Sequence, residues 1–157
     1  IRETKHARCL HTLTQEDLLS GTRFPDAIAN GTYPVDVHHS GKPGITFRRL
    51  DGTETWCLPS GETSEGRWRP EGETTPFYQI PYRSLVPAGI GNVLAVGRLI
   101  GADRGAYGAI RVLVNCNQTG EAAGAAAFLA VRNGRAGADV DTEALRVLLR
   151  RGGSAIV

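Results

Sequence analysis

The chain has 157 residues, 41% of them hydrophobic and 22% charged, with a formal net charge of +2 at pH 7. That length fits one domain or one and a half small ones, and the balance is that of a globular chain rather than a disordered one. So mild a charge excludes an electrostatic footprint for nucleic acid or an anionic membrane, and no apolar run approaches the roughly 20 residues needed to span a bilayer.

Residues 1–13 are only weakly strand-like. Thr14 followed by Gln15, Glu16 and Asp17 offers a cap and first-turn acids, which predicts a short helix over 15–20 stopped by Gly21. "TYPVDVHH" alternates Val35 and Val37 with Asp36 and His38 and reads as a strand. From 40 to 76 the chain is rich in Gly, Thr, Glu and Pro, with two short strands, "GITFRRL" and "TETWCL", joined at Asp51-Gly52. Trp56 and Trp68 fall there and read as packing for a small β core.

"FYQIPYRSLVP" reads as an extended segment kept at an edge by its prolines. "NVLAVG" over 92–97 is a continuous apolar run ended by Gly, the pattern of a strand buried on both faces. A glycine-rich loop, "GRLIGADRGAYG", is expected next. A long helix follows over about 112–132, ended by Asn133-Gly134, and a last helix over about 142–151, with Asp141 as its cap and Arg150 and Arg151 in its last turn.

Cys9, Cys57 and Cys116 are odd in number and without a CxxC pattern, so they read as free thiols in a cytoplasmic protein, with no metal site. The sequence starts at Ile1 and contains no Met, from which the expectation is a piece of a longer product.

The 112–132 helix is built almost entirely from small residues. Cys116, Gly120, Ala123, Gly124 and Ala127 share one face. Glycine inside a helix costs about 1 kcal/mol relative to Ala, so this face is expected to press closely on a sheet or a buried helix. The first amides of the helix have no partners within it, and they stand at the positive end of its dipole. Together they make a place for an anion or an electron-rich oxygen.

"IPYRSLVPAGIGNVLAVGRLIGADRGAYGAIRVLVNCNQTGEAAGAAAFLAV" resembles the C-terminal portion of bacterial FAD-dependent oxidoreductases of the glutathione-reductase superfamily, and "IRETKHARCLHTLTQEDLLSGTRFPDAIANGTYPVDVH" resembles the segment just upstream. The resemblance is weakest over 40–76. It implies an α+β architecture: the C-terminal fragment of an FAD-binding α/β fold over 84–157, with a β-rich substrate or cap segment over 1–83. It also implies that Gly97, Arg98 and Asp103 lie near the ribityl and phosphate part of the cofactor. The backbone around Ala109, Ile110, Arg111 and Val112 would face the pyrimidine end of the isoalloxazine, where the helix N-terminus stabilises negative charge at N1 and O2. In the family the small-residue helix packs on the dinucleotide-binding domain. Members often carry His and Ser where this chain has Arg104 and Ala109, so no role for those side chains transfers. No GxGxxG fingerprint occurs in these residues, so the dinucleotide half of the cofactor site is not among them.

On the substrate side Arg2, His38, Tyr82 and Arg83 are the candidates, Arg as a carboxylate anchor and His or Tyr for proton movement. Simpler roles compete: His38 solvated beside a turn, and Arg83 paired with an acid. The expected partners are a small-molecule substrate in the parent enzyme, and either an N-terminal dinucleotide-binding part or a second copy of the chain. Two further readings stand beside the enzymatic one: a stand-alone, non-catalytic domain that binds a small molecule or a partner, and a mixed α/β domain whose small-residue helix is only packing.

Overall fold

A computed structural model describes residues 7–157. The architecture is mixed α+β. Helix α1 covers Gln15–Ser20, and six strands follow as β1 (Ala27–Gly31), β2 (Val35–His38), β3 (Ile45–Arg48), β4 (Thr53–Cys57), β5 (Thr63–Arg67) and β6 (Tyr78–Pro81). Helices α2 (Arg104–Ile110), α3 (Leu113–Asn133) and α4 (Thr142–Arg151) complete the chain.

The helix boundaries follow from local chemistry. Thr14 caps α1 through a reciprocal box with Asp17, and Gly21 ends it in the left-handed conformation at φ 71°. Gly134 ends α3 in the same way at φ 61°. The Asp141 side chain accepts from the amides of Glu143 and Ala144 and starts α4.

Strands β2 to β5 form a four-stranded antiparallel meander, and β1 pairs antiparallel with β6 as a separate two-stranded ribbon. Strand β5 and strand β1 carry no alternating apolar pattern, and only pairing reveals them. β5 is exposed along its whole length, and β1 is a short Ala-rich segment with Ala27, Ile28 and Ala29 buried. The core joins Leu13, Leu18, Ile28, Ile80, Leu85, Ile100 and Leu145, with Ala122 and Ala126 of α3. The ribbon packs against α3, and the meander meets the helices through β2 and α2.

Three expectations change. Residues 92–97 are not a buried strand. Val93 is 48% exposed, and no ladder partner pairs with the segment among the described residues. Its hydrogen bonds are single ones rather than a ladder: the Ala95 amide donates to Leu85 O and the Gly97 amide to Thr119 Oγ1, and Val96 O accepts from Leu99 N. An apolar run becomes a strand only when a neighbouring strand supplies its hydrogen bonds.

The segment 97–108 is not a loop throughout. Asp103 accepts from the amide of Ala106 and starts α2 at Arg104. Its glycines serve close approach: a Cβ on Gly105 would strike the Gln15 side chain, and one on Gly108 would strike the backbone of Asp36.

The buried stripe of α3 is also a different face from the one expected. Asn115, Thr119, Ala122 and Ala126 point inward, whereas a Cβ on Gly120 or Gly124 would meet nothing within 4 Å. The glycines lie on an open face, so among the described residues they make no close approach.

Candidate functional site

The first turn of α3 is where the candidate residues gather. Val112 precedes the helix in extended conformation (φ −75°, ψ 155°), and no side chain caps the helix there. Leu113 and Val114 are 78% and 66% exposed. An apolar, uncapped helix start in solvent is unusual, because its orphan amides ordinarily recruit Ser, Thr, Asp or Asn.

Behind it the structure is fixed. Asn115 is buried and donates from Nδ2 to Tyr78 Oη at 2.8 Å and to Ala109 O at 3.1 Å. Burial pushes the Tyr78 hydroxyl up to about 12, against the hydrogen bond from Asn115. The Cys116 Sγ lies 3.4 Å from Arg111 O. Burial also raises the thiol's pKa, and the nearby Arg98 charge opposes that shift.

Gly97 belongs to the same cluster. Its amide donates to Thr119 Oγ1 at 3.3 Å, and a Cβ placed on it would lie 3.8 Å from Cys116 Sγ. Its φ of 59° is left-handed, a conformation that suits glycine. The chain therefore bends at Gly97-Arg98 directly against the first turns of α3, with the Arg98 side chain exposed. Gly97, Arg98, Ile110, Arg111 and Val112 come together at one place although up to 15 positions separate them in sequence.

Two of the expected cofactor residues face elsewhere. Ala109 is buried, with its carbonyl occupied by Asn115. The Asp103 carboxylate accepts from the amides of Gln15 and Ala106 and ties α1 to α2. The Arg111 guanidinium is already engaged: it pairs with Asp36 on β2 and lies 5.9 Å from the centre of the Tyr107 ring.

The substrate-side candidates do not converge. Arg2 lies outside the described residues. Tyr82 is buried and donates from its hydroxyl to Gly137 O at 2.7 Å, and burial pushes that hydroxyl up to about 12. Arg83 pairs through Nε and Nη2 with the buried carboxylate of Asp26 at 3.0 and 3.2 Å, the acid partner being Asp26 of the loop before β1. His38 is exposed at the end of β2, and its carbonyl accepts from Arg104. It lines a small polar recess with Asp36, Arg104, Tyr107 and Arg111.

Two clefts flank α3. One of about 480 Å³ adjoins its N-terminus and is lined by Tyr33, Phe77, Val112, Leu113 and Val114 among others. A larger apolar groove of about 750 Å³ runs along its far half, between Val93, Leu94, Ala123, Gly124, Ala127 and Val131. The residues that sequence reasoning missed are Asn115 and Thr119. Their signal, two polar side chains four apart, was hidden among the neighbouring polar residues Asn117, Gln118 and Glu121.

Among the described residues no group of three or more His, Cys, Asp and Glu side chains is placed to hold a metal ion. No helix among them is long and apolar enough to cross a membrane.

The uncapped start of α3, the Gly97-Arg98 bend against it and the cleft beside it lie together in the fold. The pattern of the family described as FAD dependent oxidoreductase matches residues 1–149, and the chain belongs to that family. Its cofactor is FAD. No curated protein and no solved structure matches the chain.

The residues present fit the isoalloxazine end of that cofactor. The α3 start offers donors to oxygen and nitrogen acceptors, and no side chain among the described residues caps it. They do not include the fingerprint that holds the adenine half.

Proposed function

We propose that this chain supplies the flavin-side wall of an FAD-dependent oxidoreductase that passes a hydride between an organic substrate and its cofactor. The reading rests above all on the uncapped first turn of α3 lying against the Gly97-Arg98 bend. Bound FAD supplies the hydride-accepting isoalloxazine ring.

The chain's own contributions are binding and electrostatics. The amides at the start of α3 donate to the pyrimidine end of the ring, and the positive helix end stabilises negative charge there. Gly97 lets the backbone approach the ribityl chain, and the exposed Arg98 guanidinium meets the phosphates. Leu113 and Val114 keep water from the ring. His38, exposed beside Arg104 and Arg111, is the described candidate best placed to move a proton on the substrate side.

The adenine half of the cofactor then belongs to a dinucleotide-binding part that these residues do not contain. The apolar groove along α3, with the apolar run 93–96 on its edge, is the face such a part, or a second copy of the chain, would cover.

The test is amide NMR of the labelled chain titrated with FMN and, separately, with AMP. FMN is expected to shift the amides of Gly97 and of 112–116, and AMP to leave them in place. FMN shifts confined to other surfaces, or none at millimolar FMN, would sink the reading.

A further inference from the structure

The ion pair between Arg111 and Asp36 joins two elements that are 75 positions apart in sequence. Both side chains are largely withdrawn from solvent, at 13% and 11% exposure. Arg111 is the residue between α2 and α3, next to the uncapped helix start. Asp36 is on β2, whose backbone α2 touches directly through Gly108.

Three other groups face this pair. The Tyr33 hydroxyl donates to the second oxygen of Asp36 at 3.4 Å. The Arg104 guanidinium donates to His38 O and, at 3.1 Å, to Ser40 Oγ. The Tyr107 ring lies beneath the Arg111 guanidinium. Arg104 and Arg111 thus line one recess, and of the two Arg111 is the one paired with the Asp36 carboxylate. Removing the carboxylate would leave Arg111 as a largely buried, uncompensated cation beside the α3 start.

We infer that Asp36 is a positioning residue for the flavin site: it holds Arg111 and the joint between α2 and α3, and it masks a positive charge that would otherwise act on the ring. The inference rests on the flavin reading above. It gives the meander a role at the cofactor, because the acid that sets the local field is carried on β2. A cation near the ring favours its reduced, more negative form over its oxidised form. Asp36 therefore limits how strongly the site prefers reduced flavin.

The experiment measures the dissociation constants of oxidised and of anaerobically reduced FMN for the chain and its variants. Asp36→Asn keeps the shape of the side chain and removes its charge. It is expected to raise the preference for reduced over oxidised FMN several-fold. Arg111→Gln leaves Asp36 as an unpaired anion and is expected to lower the same ratio. The double variant restores charge balance and is expected to return the ratio toward that of the parent chain.

Because the two single changes move the ratio in opposite directions, mere disruption of the joint cannot mimic them. Both single variants are needed for that comparison, each first shown to fold by its circular dichroism spectrum. If either fails to fold, Arg111→Lys, which keeps the charge, is expected to hold the ratio within twofold while weakening both affinities; a larger change in the ratio overturns the inference. FMN binding with a ratio unmoved by Asp36→Asn and Arg111→Gln, or moved the same way by both, overturns the inference and leaves the flavin reading standing. No FMN binding by the unaltered chain in either oxidation state overturns both.

Discussion

Gly108→Ala sets two forces of opposite sign against each other. By propensity alone, replacing a helix-interior glycine with alanine stabilises by up to about 1 kcal/mol. In this fold a Cβ at position 108 would lie 2.9 Å from Asp36 C and 3.1 Å from Asp36 N, and closer still to Asp36 O. Those are main-chain atoms, so no side-chain rotation relieves the overlap. α2 and β2 must part.

Overpacking of this kind costs about 1–3 kcal/mol, and the rigid partner puts this site at the upper end. Parting the two elements also loosens the Arg111–Asp36 pair, which is carried on the same two elements. After the propensity gain, the expected net loss is about 2 kcal/mol, or roughly 4–8 °C in melting temperature for a chain of this size.

Gly120→Ala and Gly124→Ala on α3 are the controls. A Cβ at either meets nothing within 4 Å, so propensity acts alone and each is expected to stabilise by about 1 kcal/mol. Thermal unfolding followed by circular dichroism reads all three. A Gly108→Ala protein as stable as the parent chain, with the α3 variants stabilised, would refute the direct contact of α2 with β2.

Three other expectations concern stability and assembly. The Tyr78 and Tyr82 hydroxyls keep their protons to about pH 12 in the folded chain but lose them near 10 when unfolded. Their contribution is complete below pH 10 and is lost as pH rises through the folded values, at up to about 1.4 kcal/mol per pH unit for each. Urea midpoints at pH 9, 10 and 11 should fall accordingly, and the Tyr78→Phe, Tyr82→Phe double variant should flatten the decline; an equally steep decline in that variant would contradict the assignment. Asp26→Asn weakens three hydrogen bonds from Arg83, one of them from its backbone amide, and is expected to cost about 2 kcal/mol in urea unfolding. No change would mean that the pair contributes nothing. Val131, 84% exposed on the edge of the long groove, should promote self-association of the isolated chain. Light scattering should show an average mass that rises with concentration, and Val131→Glu should lower it; a clean monomer throughout would argue against that face as an interface.

Sequence alone determined what is local. The three helices at 15–20, 113–133 and 142–151 were legible because their caps are side chains within three or four positions of the amides they serve, or a glycine at the end. Strands β2, β3 and β4 were legible because alternation and the Asp51-Gly52 turn act over a few residues. The resemblance carried by "NVLAVGR" and the small-residue helix led to the cofactor and the family.

Tertiary structure decided what depends on partners. The run 92–97 has strand chemistry, but a strand is completed by a neighbour's hydrogen bonds, and no described segment provides them. Strand β5 has no apolar signal and exists because β4 pairs with it. Helical spacing identified a glycine face on α3, yet spacing does not say which face the core takes. The core took the face with Asn115 and Thr119, whose polar atoms find partners in Tyr78, Ala109 and Gly97, and left Gly120 and Gly124 open. The site followed the same division: the free amides at the start of α3 could be read from the chain, whereas the hydrogen bond of Gly97 to Thr119 and the pairing of Arg111 with Asp36 join residues that only the folded backbone brings within reach.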